Sequence, residues 1–155
     1  MMIAPVMIAL DTNILVYAHR GESPFHEAAD RAVTDLAESG DVWGIPWLCI
    51  HEFLAIVTHP RIYAPPTPMA DALEQVECWL EVPTLVLLGE AKSHWSYLRQ
   101  SLRTEGVRGP MVHDARIASI CAAHAVRELW TADRDFSRFR AVKVINPLVA
   151  RADSH

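Results

Sequence analysis

The chain has 155 residues, of which 51% are hydrophobic and 21% are charged. This balance excludes a wholly disordered or collagen-like chain, and the length predicts one domain over residues 1–150 with a frayed end at 151–155. No apolar run reaches the roughly 18 residues that a membrane span needs. The apolar start lacks a basic segment and a small-residue cleavage site, so we do not expect a signal peptide.

The formal net charge of −5 is unevenly distributed along the chain. Residues 1–91 carry three basic and thirteen acidic residues, whereas residues 92–155 carry eleven basic and six acidic ones. The overall acidity argues against non-specific binding of polyanions, but it allows a local basic face in the second half. The alternative is that the two halves neutralise each other across one fold.

Three cysteines, Cys49, Cys78 and Cys121, lie far apart in apolar helical segments. An odd number at wide spacing fits neither a disulfide framework nor a zinc site. We therefore expect three reduced, buried thiols in a cytoplasmic protein.

Predicted strands alternate with predicted helices along the whole chain. Strands are predicted at 6–10, 42–45, 84–88, 128–131 and 142–145. Helices are predicted at 14–19, at 24–39 with Ser23 as N-cap, and at 47–57, 69–80, 91–104 and 113–126. A short turn or helix is predicted at 135–139, and the four prolines within 59–68 predict a loop. The alternation predicts an α/β fold with a parallel sheet and right-handed crossovers.

Two acids follow predicted strands at the edge where ligands bind in open parallel sheets. Asp11 directly follows the first strand, and Asp133 follows the strand that ends at Thr131. For Asp11, capping of the following helix is an equally good interpretation. Asp135 either joins the site or caps a helix that begins at Phe136. We favour Asp133 as the ligand and Asp135 as the cap or as outer support.

Asp114 lies at the start of the helix predicted at 113–126. The helix dipole favours an anion at this end, which is the simpler explanation for an acid there. The helix also carries a stripe of small residues, Ala115, Ala118, Ala122 and Ala125. This stripe would let the helix lie close to the sheet and hold Asp114 near its edge.

Glu52 is the only acid in the helix predicted at 47–57. It lies about 9 Å from the helix start, and helical side chains lean toward the N-terminus, so a glutamate could reach the sheet edge. The alternative is a solvated helix face. The apolar residues expected to face the core are Trp47, Ile50, Leu54 and Val57.

These four acids are predicted to converge, with Asp11, Asp114 and Asp133 as metal ligands and Glu52 as the fourth catalytic acid. Carboxylates a few Å apart repel each other and raise each other's pKa, so such a cluster favours a divalent cation. Oxygen ligands suit Mg²⁺ or Mn²⁺. The chemistry this implies is metal-assisted hydrolysis of a phosphodiester bond.

The motifs together resemble those of the PIN-domain ribonucleases, and within them the VapC-type toxins of toxin–antitoxin pairs. They are LDTNIL at 10–15, Glu52, HDARIA at 113–118 and LWTADRDF at 129–136. The resemblance implies a three-layer α/β/α sandwich with a short parallel sheet and a Mg²⁺- or Mn²⁺-dependent endoribonuclease. It also implies a homodimer inhibited by a cognate antitoxin. RNA as substrate, the dimer and the antitoxin come from the resemblance alone.

The same resemblance places the family's acidic quartet on Asp11, Glu52, Asp114 and Asp133. It assigns supporting roles to Thr131, Asn13 and Asp135. The proline-rich segment 59–68 is not part of the family's pattern.

Three arginines near the predicted site are candidates for RNA binding: Arg116 near Asp114, and Arg134 and Arg138 beside the Asp133 turn. Contacts with phosphates would make RNA binding sensitive to salt. The alternative is that they are solvated arginines that pair with the acidic half of the chain.

Other functions for an acidic site on an α/β sheet fit the residues less well. An aspartyl phosphatase typically needs a second acid two residues after Asp11, where this chain has Asn13. A phospho-receiver domain needs a lysine at a late strand, and Lys143, which opens the last strand, is poorly placed. A PIN-like scaffold without catalysis is disfavoured by the complete set of four acids.

Overall fold

A computed structural model describes residues 7–149, which form a five-stranded parallel sheet with six α-helices. The strand order is β3-β2-β1-β4-β5. The strands are β1 (Ile8–Leu10), β2 (Trp43–Pro46), β3 (Leu85–Leu88), β4 (Glu128–Trp130) and β5 (Lys143–Ile145). The predicted α/β class and parallel sheet are confirmed. The predicted frayed end at 151–155 and the start of the first strand at residue 6 lie outside the described residues.

The central strands are covered on both faces. Ala9 and Leu10 of β1 point to opposite sides of the sheet, and both are fully buried. All four residues of β2 are buried as well. A Cβ on Gly44 would lie 2.9 Å from Cδ1 of Leu88, so this glycine allows the side chain of the neighbouring strand to pack close to the β2 backbone. Burial on both faces is the arrangement expected of a three-layer α/β/α sandwich.

The helices are α1 (Thr12–His19), α2 (His26–Glu38), α3 (Trp47–Val57), α4 (Met69–Leu80), α5 (His94–Thr104) and α6 (Met111–Ala123). A 3-10 helix (Arg134–Arg138) follows β4. Within residues 7–149, no helix combines the length and hydropathy that crossing a membrane requires.

The predicted bounds were right for α3 and α4, and they differ by up to three residues for α1, α2, α5 and α6. Helix α2 begins at His26. The residue that precedes α2 is Phe25, and its amide donates to the Ser23 hydroxyl at 3.1 Å. Ser23 therefore stabilises a turn before the helix and does not cap it.

The predicted core face of α3 is partly wrong, because Trp47 is 43% exposed and Leu54 is only half-buried. The buried residues of this helix are Leu48, Cys49, Ile50, Phe53 and Val57. Trp47 is the first residue of the helix and its ring lies beside that of His51, which is also exposed.

Two further expectations about burial are corrected at the other helices. Cys49 and Cys121 are free and buried as predicted, but Cys78 is free and exposed. Ala125 does not extend the small-residue stripe, since α6 ends at Ala123 and Ala125 is exposed with a φ of 57°.

The proline-rich segment 59–68 lies against the end of α1. The Arg20 guanidinium donates to the Thr67 hydroxyl at 3.0 Å and to the Pro65 carbonyl at 3.1 Å, and it stacks over the Tyr63 ring at 4.2 Å. The predicted loop is confirmed, and these contacts hold it in place.

Candidate active site

Asp11 lies between β1 and α1, at the carboxyl edge of the sheet. Its Oδ1 accepts a hydrogen bond from the Thr12 amide at 2.7 Å, so Asp11 is the N-cap of α1. The side chain is almost completely buried, with 4% exposure. The two interpretations of Asp11 are therefore compatible, because one residue caps the helix and holds a buried carboxylate at the predicted edge.

Thr131 connects Asp11 to the end of β4. Its hydroxyl donates to Asp11 Oδ2 at 2.8 Å and accepts from Asn13 Nδ2 and from the Asp133 amide, both at 3.0 Å. The side-chain oxygen of Asn13 accepts from the Ala132 amide at 3.1 Å. The two residues, for which supporting roles were predicted, thus join the β1–α1 junction to the β4 exit.

Glu52 reaches the same edge from the second turn of α3. Its Oε2 accepts a hydrogen bond from the Thr12 hydroxyl at 2.9 Å, and the side chain is half-buried. Thr12 therefore bonds Asp11 through its amide and Glu52 through its hydroxyl. Glu52 thus reaches the sheet edge from α3, as expected from the length of its side chain and from the tilt of helical side chains toward the N-terminus.

Three other acids form the closest cluster of carboxylates. Asp114, Asp133 and Asp135 each offer one carboxylate oxygen, and these three oxygens lie within 4.8 Å of one another. Asp114 and Asp133 are half-buried and Asp135 is exposed. Among residues 7–149, this is the group of acids close enough to share one ion, and Asp11 lies outside it.

The capping role assigned to Asp135 is wrong. The 3-10 helix begins at Arg134, two residues earlier than expected, and its N-cap is Asp133. Oδ1 of Asp133 accepts from the Asp135 amide at 2.9 Å. Asp135 lies in the first turn, and its carboxylate is free to join the cluster. The structure therefore brings Asp135 to Asp114 and Asp133, where the sequence favoured it as a cap or outer support.

Burial and neighbouring charges act on Asp11 and Asp114. The pKa of Asp11 is raised from 3.8 to about 6 mainly by burial; hydrogen bonds from Thr131 and Thr12 lower it, and the charges of Glu52 and Asp114 contribute to the rise. Burial also raises the pKa of Asp114, and the charges of Asp133, Asp135 and Glu52 add to this rise. Arg138 lowers it. The basic residues near the site therefore do not neutralise all of its negative charge.

Cys49 is a neighbour of Asp11 that the sequence did not assign to the site. Its thiol lies 3.7 Å from Asp11 Oδ1 and is fully buried. Burial and the nearby Asp11 charge hold the pKa of this thiol well above its ordinary value, so it stays protonated and donates to the carboxylate. A signal was present, because Cys49 precedes Glu52 by three residues and thus shares its helix face.

The arginines predicted to bind RNA differ in their surroundings. Arg116 pairs with Glu90 through Nε and Oε1 at 2.5 Å. Arg138 donates to the backbone oxygen of Asp135 at 3.2 Å. Arg134 is exposed at the start of the 3-10 helix. Arg134 and Arg138 thus lie on the element that holds Asp135, whereas a phosphate at Arg116 would compete with Glu90.

The pKa of Asp11 leads to a prediction about stability without divalent ions. An acid with a higher pKa in the folded chain binds more protons when folded, so the free energy of unfolding falls as pH rises. Through Asp11, the free energy of unfolding should fall by at most about 3 kcal/mol as the pH rises from 3.8 to about 6. Urea unfolding in chelator at pH 4 to 8 would measure it. Asp11→Asn should have the flatter profile, and parallel profiles would contradict the prediction.

The comparison with known protein families agrees with this geometry. The PIN domain model matches residues 8–142. The chain belongs to the PIN domain family. The predicted family is confirmed, and the match contains Asp11, Glu52, Asp114, Asp133 and Asp135.

Individual relatives of this PIN domain cover nearly the whole chain. Ribonuclease VapC31 of Mycobacterium tuberculosis (strain ATCC 25618 / H37Rv) is 34% identical over 143 residues, which are 91% of this chain and 99% of the relative. Ribonuclease VapC43 of the same strain is 31% identical over 142 residues, or 92% and 96% of the two chains. Among solved structures, VapBC2 from Rickettsia felis has a TM-score of 0.66 at 19% identity and covers 91% of this chain and 98% of that chain. At this identity the structural likeness supports the fold alone.

Proposed function

We propose that this PIN domain is a Mg²⁺- or Mn²⁺-dependent endoribonuclease of the cytoplasm that acts as the toxin of a toxin–antitoxin pair. The observation that carries the proposal is the cluster of Asp114, Asp133 and Asp135, with oxygens within 4.8 Å of one another, beside the buried Asp11. The names of the relatives support RNA as the substrate, since both are called ribonucleases.

The residues of the cluster fit a divalent ion. Asp114, Asp133 and Asp135 offer oxygen ligands alone, which Mg²⁺ and Mn²⁺ prefer. The pKa of Asp114 is raised first by burial and then by the charges of Asp133, Asp135 and Glu52, and a bound cation would relieve that repulsion. A bound ion would supply an activated water and would neutralise the leaving oxygen of the phosphodiester.

The remaining side chains position the cluster. Thr131 holds the Asp133 amide and the Asp11 carboxylate through one hydroxyl. Glu52 is held at the edge by Thr12 and adds a further negative charge near Asp11 and Asp114. We assign Asp114 and Asp133 as metal ligands together with Asp135, which lies in the same cluster. We propose Asp11 as a further ligand beside the cluster and Glu52 as the fourth acid of the predicted catalytic quartet.

The proposed partners follow from the relatives and the neighbouring structures. A toxin–antitoxin complex from Klebsiella pneumoniae matches with a TM-score of 0.59 and covers 90% of this chain. An antitoxin is therefore the proposed inhibitor, and the homodimer that the family resemblance implies is the proposed assembly. An aspartyl phosphatase is disfavoured, because the position two residues after Asp11, where its second acid is needed, holds Asn13, which bonds Thr131 and the Ala132 amide.

Incubation of the purified protein with mixed RNA would test the activity. We expect fragments on a gel with Mn²⁺ or Mg²⁺ and intact RNA with a chelator. Cleavage that persists in chelator would contradict the metal dependence. Intact RNA under every condition, in a sample shown to be folded and free of antitoxin, would contradict the ribonuclease assignment.

Divalent ions should also raise the melting temperature of the protein. A ligand that binds the folded state alone stabilises it by about 2.7 kcal/mol at a concentration 100 times its Kd. Asp114→Asn should lose most of this shift, because it removes a ligand and part of the repulsion. Asp30→Asn, on the exposed face of α2, is the matched control. Equal shifts in wild type and Asp114→Asn would contradict the site.

A further inference from the structure

The outer face of α5 carries an exposed tryptophan followed by two arginines. Trp95, Arg99 and Arg103 are spaced four residues apart, so they lie above one another on one side of the helix. Trp95 is 63% exposed, and both arginines are exposed. Ser96, Gln100 and Thr104 lie beside them on the same open face of the helix. We call Trp95, Arg99 and Arg103 the α5 strip.

The charge of the α5 strip is not neutralised within the protein. The segment His94–Thr104 contains no acidic residue. Among residues 7–149 the salt bridges are Arg20–Glu22 and Arg116–Glu90, so Arg99 and Arg103 take part in none. The two guanidinium groups therefore remain available to an anion, unlike that of Arg116.

The opposite side of α5 is already occupied by the protein. His94 and Ser101 are buried, and α5 packs along α6. The strip therefore faces outward, with a large aromatic ring between polar groups. A two-fold contact of this face with a second copy would bring arginines against arginines, which is unfavourable. A chain with both negative charges and flat aromatic groups complements the strip better.

The C-terminal end of the α5 strip leads toward the acidic cluster. Glu105, directly after α5, accepts a hydrogen bond from the Arg140 amide at 3.3 Å. Arg140 lies two residues beyond the 3-10 helix that holds Asp135. The exposed Arg108 then precedes α6, which carries Asp114. The chain therefore runs from the end of the strip into the helix that carries Asp114, and the Glu105–Arg140 bond joins that end to the segment after the 3-10 helix.

We propose that the α5 strip binds single-stranded RNA outside the cleavage site. Trp95 stacks on a base, and Arg99 and Arg103 contact phosphates along the strand. Stacking tolerates any base, so the strip adds affinity without strong sequence preference. This inference rests on the proposed ribonuclease function and identifies where the substrate is held.

The test is binding of a fluorescein-labelled twelve-nucleotide oligo(U) RNA to the full chain in chelator, measured by fluorescence anisotropy over a range of salt. The variants are Trp95→Ala and the pair Arg99→Ala with Arg103→Ala. The matched control is Arg31→Ala with Arg127→Ala, which removes two exposed positive charges from α2 and from the residue before β4. A second pair, Arg99→Lys with Arg103→Lys, keeps the charge. Light scattering of each variant reports its molecular mass.

We expect Trp95→Ala to weaken binding at least about fivefold. The arginine pair should reduce the salt slope by about 1.4, the value for two contacts with a single strand. The lysine pair should restore most of that slope, and the control pair should match the wild type.

If the wild type binds and cleaves RNA, two results would contradict the proposal that the α5 strip binds it. One is that the strip variants bind like the control pair. The other is that Trp95→Ala halves the molecular mass, which would make the strip a contact between two copies. If the wild type neither binds RNA in chelator nor cleaves it with Mn²⁺, the proposed function itself fails and the strip fails with it.

Discussion

Asp11→Asn should reduce RNA cleavage by at least about 100-fold while the protein stays folded. The change removes one negative charge from a site whose charge stabilisation is worth several kcal/mol, and each 1.36 kcal/mol is a factor of ten in rate. It also replaces one carboxylate oxygen, which accepts hydrogen bonds, by an NH2 group, which donates them. Thr12, Asn13 and Thr131 all donate to the carboxylate, so an amide group would face at least one donor.

Asp11→Asn changes the shape of the side chain little, but the hydrogen bonds of Thr131 make its effect larger. The Thr131 hydroxyl accepts hydrogen bonds from Asn13 and from the Asp133 amide, and it donates its own proton to Asp11. Without the Asp11 acceptor, this proton would be left unpaired. An unmatched buried donor costs about 1–3 kcal/mol, which the loss of the buried charge partly offsets. Asp11→Asn should therefore also disturb Asp133, whose amide donates to the same Thr131 hydroxyl.

Cleavage rates with Mn²⁺ and circular dichroism would measure the two parts of this prediction. Asp30→Asn makes the same chemical change on the exposed face of α2 and should cleave like the wild type. An Asp11→Asn protein that cleaves at the wild-type rate would show that the catalytic centre lies elsewhere. Loss of the folded spectrum would show that the bonds Asp11 accepts from Asn13 and Thr131 hold the fold together, since asparagine caps a helix about as well as aspartate.

The elements that the sequence predicts best are those with strong local signals. Both α3 and α4 begin directly after a proline and have the predicted bounds, whereas α6 also begins directly after a proline, Pro110, but was predicted to start two residues later. The start of α2 lacked such a decisive signal. Ser23 is a good cap by composition, but its hydroxyl bonds a turn two residues later, so the helix begins further on. Local propensity does not distinguish a turn from a cap.

The convergence of the acids was predictable because parallel strands end at one edge of the sheet. Asp11 and Asp133 follow neighbouring strands, β1 and β4, and the register of that pair joins Leu10 to Trp130. The reach of Glu52 to this edge was predictable from helix direction, but its hydrogen bond with Thr12 was not predicted. What the sequence could not provide is the distance between carboxylates, which depends on how the 3-10 helix turns after Asp133.

Cys49 and Trp47 show why packing around the site was harder to predict. Both are large or apolar residues in one helix, and composition alone would bury both. The structure buries Cys49 against Asp11 and leaves Trp47 at the surface, because their positions on α3 differ by two residues and thus face different sides. Periodicity fixes which residues share a face, but contacts with the rest of the fold decide which face is inside.

The residues Asp133 and Asp135 should have different and separable roles. Asp133 caps the 3-10 helix and belongs to the acidic cluster, whereas Asp135 belongs to the cluster and caps nothing. Asparagine caps about as well as aspartate, so Asp133→Asn should keep the fold and lose activity by orders of magnitude. Asp133→Ala should in addition lose about 0.5–2 kcal/mol of stability, the usual cost of removing a cap.

For Asp135 the same two substitutions should have equal effects on stability. Its side chain is exposed, so solvent screens its charge, and water can replace it as a ligand to a hydrated ion. Asp135→Asn should therefore lose much less activity than Asp133→Asn. Cleavage rates with Mn²⁺ and urea unfolding in chelator would measure all four variants. If Asp135→Asn is inactive while Asp133→Asn cleaves, the essential ligand is Asp135, and the main function of Asp133 is to hold the turn that presents it.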